Sequence, residues 1–345
     1  MIDPHVHLRD WNQKDKETLL HGLKVAKEAG FTHIFDMPNT IPALTSREAI
    51  VSRFSLAKEA MGQVSGIKYH VYGGITRDPF QCNEIVKIYN ELFPHVVGLK
   101  LFAGNSTGNM GIVSKSDQRR VFETLVESGY KGVLAVHCER EDLIKPELFE
   151  KGRWETHSLA RPRASEVESV RDMISLVEET GFEGTLHIAH ISTKDAIELV
   201  KKKRSLLKIT MGATPHHCLY NEEKAKDHDR YLKMNPPLRT EDDRSYLFSS
   251  LLDGTIDWVE SDHAPHTLLD KENGASGIPG FAGMLLLASK LRQAGCTEER
   301  LSSLYGKKVI EVFGLEDEEI FVPDDLEERF IEIENEYPIK CYSWD

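Results

Sequence analysis

Met1-Ile-Asp-Pro-His5-Val-His7-Leu-Arg9-Asp10 opens the chain with an apolar run that carries two histidines two positions apart. Successive side chains of a β-strand point to opposite faces, so His5 and His7 share a face if this stretch is extended. A single metal ion could then contact both imidazoles. The stretch therefore predicts a first strand with a metal site near its end.

The remainder of the chain alternates short apolar runs with longer amphipathic segments, which is the pattern of repeated βα units. About eight apolar runs are present, and they cover residues 1–7, 32–37, 68–73, 97–102, 132–137, 185–190, 208–211 and 258–261. Between the first two, residues 17–29 place leucines and alanines at helical spacing before a glycine stop signal at Gly30. This segment is predicted to be a helix.

Eight parallel strands with interleaved helices predict an α/β fold of the (β/α)8 TIM-barrel type, whose active sites lie at the carboxyl ends of the strands. An open, doubly wound sheet uses the same units and is the alternative. The glycine-rich segment 104–111 lacks the spacing of a dinucleotide-binding loop, which favours the barrel.

Residue types that bind metals close four of the later runs, namely Lys100, His137, His190 and Asp262. Each has an ordinary structural role when taken alone, such as a hydrogen-bonded core histidine, a snorkelling lysine or a helix cap. Their shared position at strand ends favours a common metal centre. His187 precedes His190 by three positions, so a regular strand would place it on the opposite face, between strand and helix.

The bulk properties exclude several classes of function. The chain has 345 residues and a formal net charge of −13, which opposes binding to a nucleic-acid backbone. No apolar run of roughly 18 residues predicts a membrane span, and no basic and apolar leader is visible, so the cytoplasm is the predicted location. The five cysteines include no Cys-x-x-Cys pair, which argues against a disulfide framework or a thiolate zinc site.

Seven motifs, in this order along the chain, resemble those of dihydroorotases in the amidohydrolase superfamily, and the resemblance extends to about Gly283. They are Asp3-Pro-His-Val-His-Leu-Arg-Asp10, Asp36-Met-Pro-Asn-Thr40, Gly98-Leu-Lys-Leu-Phe102, Val136-His-Cys-Glu139, His187-Ile-Ala-His-Ile-Ser-Thr193, Lys233-Met-Asn-Pro-Pro-Leu-Arg239 and Ser261-Asp-His-Ala-Pro-His266.

The resemblance implies two Zn²⁺ ions. His5, His7 and Asp262 would bind one, His137 and His190 the other, and a carboxylated Lys100 would bridge them. An ammonium cannot coordinate a cation, so Lys100 could serve only as a carbamate. Cobalt and manganese use similar ligands, which leaves the metal open. Asp262 would also carry the proton during catalysis.

The resemblance also implies a substrate site beside the metals. Arg9, Asn39 and His266 would bind a substrate carboxylate, since a guanidinium fork suits bidentate pairing. Asn235 would lie beside the substrate ring, and Thr107 on the loop after Lys100 would close over it. His216 and His217, after the seventh run, either contact the ligand or support the site, without a catalytic role.

The implied activity is the reversible cyclisation of N-carbamoyl-L-aspartate to L-dihydroorotate in de novo pyrimidine biosynthesis. The alternatives are another cyclic amidase, such as a hydantoinase, dihydropyrimidinase or allantoinase, and a non-catalytic dihydroorotase-like scaffold. Arg9 argues against the first and the full ligand set against the second. A homodimer and an association with aspartate transcarbamoylase both stay open.

The predicted domain division places the barrel at residues 1–314 and a short acidic extension, packed on the barrel, at residues 315–345. Within the extension, residues 330–334 alternate apolar and acidic side chains and are predicted to form a short strand. This arrangement resembles the compact, barrel-only members of the family.

Overall fold

A computed structural model describes residues 1–106, 109–227 and 231–344. It contains one parallel sheet of eight strands, in which each strand pairs with the next along the chain. The strands are β1 Ile2–Val6, β2 His33–Asp36, β3 Lys68–Gly74, β4 Val96–Phe102, β5 Val133–His137, β6 Thr185–Ile188, β7 Ile209–Ala213 and β8 Trp258–Val259. A parallel bridge between Val6 and His263 joins the ends of the sheet, so the predicted barrel is confirmed.

Helices fill the connections between the strands and surround the barrel. They are α1 Leu19–Ala29, α2 Arg47–Met61, α3 Pro79–Leu92, α4 Lys115–Glu127, α5 His157–Ala160, α6 Arg163–Thr180, α7 Lys194–Lys203, α8 Pro215–Leu219, α9 Glu241–Leu252, α10 Leu268–Glu272, α11 Phe281–Gln293, α12 Glu298–Ser302, α13 Lys308–Phe313 and α14 Leu326–Asn335. Within the described ranges, none of them is long and apolar enough to cross a bilayer.

Helix α1 confirms the helix predicted at residues 17–29. Its N-terminal amides are capped by the Thr18 side chain, which accepts a hydrogen bond from the amide of His21. Gly30 ends it in the left-handed conformation, with φ of 99°.

The barrel interior is packed at its amino-terminal end and polar at its carboxyl end. Ile2, Phe35 and Trp258 belong to a buried cluster inside the barrel, and Phe313 of α13 packs edge-on against Phe35 with ring centroids 5.1 Å apart. This buried cluster fills the amino-terminal end of the barrel. The interior polar residues therefore lie at the carboxyl ends of the strands.

The strand predicted at residues 330–334 is wrong, because these residues lie in helix α14. Leu326, Phe330 and Ile333 recur at helical spacing and are buried, whereas Ile331 is 52% exposed. An alternating strand would have placed Ile331 and Ile333 on one face. The segment beyond Gly314 contacts the barrel at several points, among them a hydrogen bond of 2.8 Å from Tyr337 Oη to Glu17 Oε1.

Candidate metal centre

The six candidate ligands converge at the carboxyl end of the barrel. His5 lies in β1, Lys100 in β4, and His137 is the last residue of β5. His7, His190 and Asp262 follow β1, β6 and β8 within three residues of the strand ends. Asp262 and His190 leave their strands with φ of 48° and 40°, a left-handed turn that is uncommon for these residue types. These turns direct both side chains back into the barrel mouth.

The first group of ligands is His5, His7 and Asp262. One nitrogen from each histidine and one carboxylate oxygen lie within 4.8 Å of one another. Asp262 Oδ1 is 2.9 Å from His7 Nε2 and 3.4 Å from His5 Nε2. Three such atoms facing one point match the His and carboxylate ligands that zinc takes.

The second group pairs His137 with His190. His137 Nδ1 and His190 Nε2 are 3.2 Å apart. Two nitrogens bound to one tetrahedral zinc ion at about 2.0–2.1 Å would be separated by about 3.3 Å. The separation in the structure therefore fits two ligands that share an ion.

Lys100 occupies a position that its ammonium form cannot satisfy. Its side chain is fully buried, and Nζ has no hydrogen-bond partner among the residues that the structure describes. Nζ lies 5.1 Å above the ring centroid of Phe102. Burial lowers the pKa of Lys100 to about 8, although the charges of Glu260 and Asp262 oppose the shift. A lysine that loses its proton this readily is suited to carboxylation.

Buried polar atoms without hydrogen-bond partners indicate that the centre binds a further group. Nε2 of His5 and Nζ of Lys100 are buried without a hydrogen-bond partner in the described part of the chain. Each such atom costs about 1–3 kcal/mol if nothing binds it. Burial lowers the pKa of His5 to about 4 and holds the pKa of His190 well below its ordinary value, so both rings are neutral, the form that binds metals. The residues therefore fit divalent metal ions.

Hydrogen bonds behind two of the histidines fix which nitrogen faces the centre. His7 Nδ1 lies 2.6 Å from Asn39 Oδ1 and donates to it, which leaves Nε2 toward Asp262. His137 Nε2 donates to Glu139 Oε2 over 3.0 Å, which leaves Nδ1 toward His190. Asn39, predicted from the resemblance to bind substrate, thus also orients a ligand.

A cavity lies directly above the ligands. Among the residues that line it are the candidate ligands His5, His7, His137, His190 and Asp262 and the candidate substrate residues Arg9, Asn39 and Asn235. Ser106, from the loop after β4, and Ser276 and Gly277, from the loop after α10, also line it. Thr107, expected to close over the substrate, lies outside the described residues.

Arg9 is a buried cation that lacks an acidic partner. Its side chain is 3% exposed, and Nε donates to the carbonyl of Pro265 over 3.3 Å. Across residues 1–106, 109–227 and 231–344, no carboxylate forms an ion pair with it. Asp10, the neighbour that could have paired with Arg9 at the surface, instead accepts hydrogen bonds from the amides of Trp11 and Leu19. The guanidinium is available for an anion in the cavity.

His266 stands beside Arg9 as a neutral ring. Its Nε2 donates to the carbonyl of Ser276 over 3.0 Å, and its Nδ1 lies 3.5 Å from Nζ of Lys16. Burial and the charges of Arg9 and Lys16 lower the pKa of His266 to about 3. Arg9 Nη2 is 3.4 Å from Nε2 of the ring. His266, predicted to bind the substrate carboxylate, therefore packs against Arg9 but does not itself line the cavity.

Asn235 lines the opposite wall of the cavity. Its Oδ1 accepts a hydrogen bond of 2.8 Å from His157 Nε2. His157 lies in α5, within the long connection between β5 and β6, and the sequence carried no signal for it. Asn235 is also followed by a cis peptide bond to Pro236.

His187 was predicted to lie between strand and helix, and this is wrong. Its ring stacks on Trp258 inside the barrel, with centroids 4.4 Å apart. Strand β6 ends at Ile188, so the alternation that separates His187 from His190 stops before His190. Both histidines therefore face inward, at different depths.

His216 and His217 lie in the short helix α8, behind the centre. His217 contacts Thr214 Oγ1 at 2.7 Å and the carbonyl of Pro236 at 3.0 Å. His216 Nδ1 is 3.4 Å from the hydroxyl of Tyr342. Neither residue lines the cavity, which favours a supporting role over contact with the ligand, the two alternatives that the sequence left open.

Two buried carboxylates beside the ligands were not predicted from the sequence. Glu139 follows His137 by two positions, and Glu260 precedes Asp262 by two. Both lie just beyond a strand end and face a candidate ligand, Glu139 facing His137 and Glu260 facing His5. Their spacing of two from a candidate ligand was the signal that could have found them.

Comparisons with solved structures place this arrangement in a class. The L-hydantoinase of Arthrobacter aurescens superposes with a TM-score of 0.81 at 25% identity, over 93% of this chain and 72% of that chain. The dihydroorotase of Campylobacter jejuni superposes with a TM-score of 0.72 at 19% identity, over 92% of this chain and 84% of that chain, and supports the fold alone. The fold and site define a cyclic amide hydrolase of the amidohydrolase superfamily.

Curated relatives narrow the class to a family. A dihydroorotase of Brevibacillus brevis is 36% identical over 91% of this chain and 73% of its own length. One from Lactobacillus johnsonii is 29% identical over 99% of this chain and 79% of its own length. No protein-family model matches. The chain belongs to the dihydroorotase family.

Proposed function

We propose that this chain is a zinc-dependent dihydroorotase that catalyses the reversible cyclisation of N-carbamoyl-L-aspartate to L-dihydroorotate in pyrimidine biosynthesis. The observation that carries the proposal is the buried guanidinium of Arg9, which has no carboxylate partner in the described chain and lies beside the ligand cluster. The cytoplasm stays the predicted location.

The chain's own ligands would hold the ions in two sets. His5, His7 and Asp262 would bind one ion, and His137 and His190 the other, with carboxylated Lys100 between them. Bound metal ions acidify water and polarise a substrate carbonyl, which is the chemistry that amide hydrolysis requires.

Arg9 would bind the substrate's carboxylate and so position the ring. A guanidinium pairs with a carboxylate through two parallel hydrogen bonds, and such charge-assisted pairs are strong in a site shielded from water. The neutral ring of His266 packs at 3.4 Å from the guanidinium, and Asn39 and Asn235 complete the wall. This arrangement holds the scissile amide toward the ligand cluster.

Asp262 would move the proton. Burial alone would raise its pKa, but its contacts with His7 and His5 hold the pKa well below the ordinary value. The group is therefore a carboxylate at neutral pH. During ring opening it would accept the proton of the attacking water and return it to the departing amide nitrogen, and cyclisation reverses both transfers.

A hydantoinase is the competing function, because the Arthrobacter aurescens L-hydantoinase is a close structural neighbour. The carboxylate that dihydroorotate carries is absent from dihydrouracil and from an unsubstituted hydantoin ring. A site for such uncharged rings has no use for a buried, unpaired guanidinium, which costs free energy when it is empty. Arg9 therefore favours the dihydroorotase.

The deciding experiment is ring opening of L-dihydroorotate by the zinc-loaded protein, run beside hydantoin, dihydrouracil and allantoin. Chelator-treated protein is the control. Metal-dependent turnover of dihydroorotate alone is the expected result. Preferential turnover of an uncharged ring would keep the metal chemistry but reject the substrate assignment.

A further inference from the structure

Glu260 is a fully buried carboxylate directly below the metal centre, and the proposed reaction gives it no part. Trp258 lies in β8, and Glu260 and Asp262 follow the end of that strand. The contacts of Glu260 with Trp258 and His187 on one side and with His5 on the other place its side chain inside the barrel. Asp262 reaches the cavity, Trp258 belongs to the core, and Glu260 lies between them.

One oxygen of Glu260 is held from below. Oε2 accepts hydrogen bonds from His187 Nε2 at 3.0 Å and from Trp258 Nε1 at 3.1 Å. The stacked rings of these two residues form a rigid floor. They leave Oε1 directed upward, toward the ligands.

The other oxygen contacts ligands from both groups. Oε1 accepts a short hydrogen bond from the main-chain amide of His190, at the residue whose left-handed φ turns the ligand inward. Oε1 also lies 3.5 Å from Nδ1 of His5. Nε2 of His5 faces Asp262, so Nδ1 must carry the proton when Nε2 binds metal. Glu260 is the acceptor nearest to that proton.

Strand β7 leaves room for this carboxylate. A Cβ atom added at Gly212 would lie 2.5 Å from the carboxyl carbon of Glu260, a contact that cannot form. The carboxylate in this position therefore requires a residue without a side chain at 212.

We propose that Glu260 is a positioning residue of the metal centre, fixing the ring of His5 and the main chain at His190 so that both ligands face the ions. This inference rests on the metal centre assigned above. Carboxylates that accept the second N–H of a metal-binding histidine set its tautomer and orientation, and their loss costs about 10–100-fold in metal affinity.

Glutamine at this position would not substitute for the carboxylate. Glu260 accepts from three donors and faces a fourth, and it donates to none. A glutamine amide would turn its NH2 group against at least one of these donors. We therefore expect the ring of His5 or the main chain at His190 to shift.

The test is the affinity of the metal-free protein for Zn²⁺ alone, measured by competition with a chromophoric chelator. Glu260→Gln should weaken binding by about 10–100-fold, with the fold retained by circular dichroism. Glu166→Gln is the matched control. Glu166 is equally buried, but in the described chain its hydrogen bonds go to Ser192 and Thr193, not to a candidate ligand. Its zinc affinity should stay within about twofold of the parent.

Zinc affinity equal to the parent in folded Glu260→Gln, even with a lower melting temperature, would overturn the proposal and leave Glu260 a purely structural residue. If Glu260→Gln does not fold, the zinc affinity of Glu260→Asp is measured instead. Aspartate keeps the negative charge, but its side chain is one methylene shorter and its carboxylate lies farther from His5. Parent-like affinity there overturns the proposal equally. The assay contains no substrate, so failure to turn over dihydroorotate would reject the substrate assignment and leave this role intact.

Discussion

At the scale of single residues, Arg9 tests the proposed substrate. Arg9→Lys keeps the charge but loses the planar fork, so kcat/KM for dihydroorotate should fall about 10–150-fold, which corresponds to the roughly 1.5–3 kcal/mol of a charged hydrogen bond. Zinc content should not change, because Arg9 is not among the candidate ligands. Steady-state kinetics and metal analysis check both parts. Arg140→Lys, at an exposed ion pair with Asp142, is the matched control. Parent-like kinetics in Arg9→Lys would contradict the carboxylate role.

Lys100 tests the metal centre at the same scale. Lys100→Ala should lose one or both zinc ions, since the bridging group is gone and the remaining imidazoles are neutral. Metal analysis after gel filtration measures the loss. The parent, incubated with isotope-labelled bicarbonate, should show a carbamate resonance that this variant lacks. Unchanged zinc content in Lys100→Ala would reject the bridging assignment.

At the scale of secondary-structure elements, β7 shapes the floor of the site through Gly212. Gly212→Ala should displace Glu260, lower the free energy of unfolding by about 1–3 kcal/mol and weaken zinc binding. Urea denaturation and the zinc competition assay measure these effects. Gly62→Ala, at the right-handed end of α2 with φ of −61°, is a control that should keep zinc affinity. A Gly212→Ala protein with normal zinc affinity would argue that Glu260 can move without consequence.

The elements also show how far the sequence could predict the structure. The strand positions agree with the predicted runs because short apolar runs that alternate with amphipathic helices are typical of buried parallel strands. The strand predicted at residues 330–334 failed because its alternation rested on Ile331 and Ile333 alone, whereas the buried face follows the helical spacing of Leu326, Phe330 and Ile333. The predicted orientation of His187 was wrong because strand β6 ends before His190. Nothing in the sequence of residues 188–190 signals the left-handed turn at His190. His157, which donates a hydrogen bond to Asn235, lies in the long connection between β5 and β6. The position of that connection depends on the complete fold, so the sequence could not predict this contact.

At the scale of the whole molecule, Glu17 joins three distant parts of the chain. Its Oε1 accepts hydrogen bonds from His263 Nε2 at 3.2 Å, after β8, and from Tyr337 Oη at 2.8 Å, after α14. Gly280 donates its amide to Nδ1 of His263, so this ring is neutral and its Nε2 carries the proton. His21 Nδ1 lies 3.5 Å from the same carboxylate.

This junction predicts a pH dependence of stability. Burial alone would raise the pKa of Glu17, but the contact with His263 and the hydrogen bonds from His21, His263 and Tyr337 lower it to about 2 from an ordinary 4.5. A depressed carboxyl pKa contributes stability that is complete above the unfolded value and is lost as the pH falls from about 4.5 toward 2. The contribution at neutral pH is roughly 3 kcal/mol.

Glu17→Gln should therefore lower the free energy of unfolding at pH 7, and its deficit relative to the parent should shrink as the pH falls below about 4.5. Urea denaturation of both proteins at a series of pH values measures this difference. Glu127→Gln, at an exposed residue of α4 away from the junction, controls for the general loss of one acidic charge and should leave the free energy of unfolding nearly unchanged at every pH. Tyr337→Phe should lose part of the same stabilisation, since it removes one donor to Glu17. A deficit of Glu17→Gln that is constant with pH would mean that Glu17 acts through packing and not through its charge.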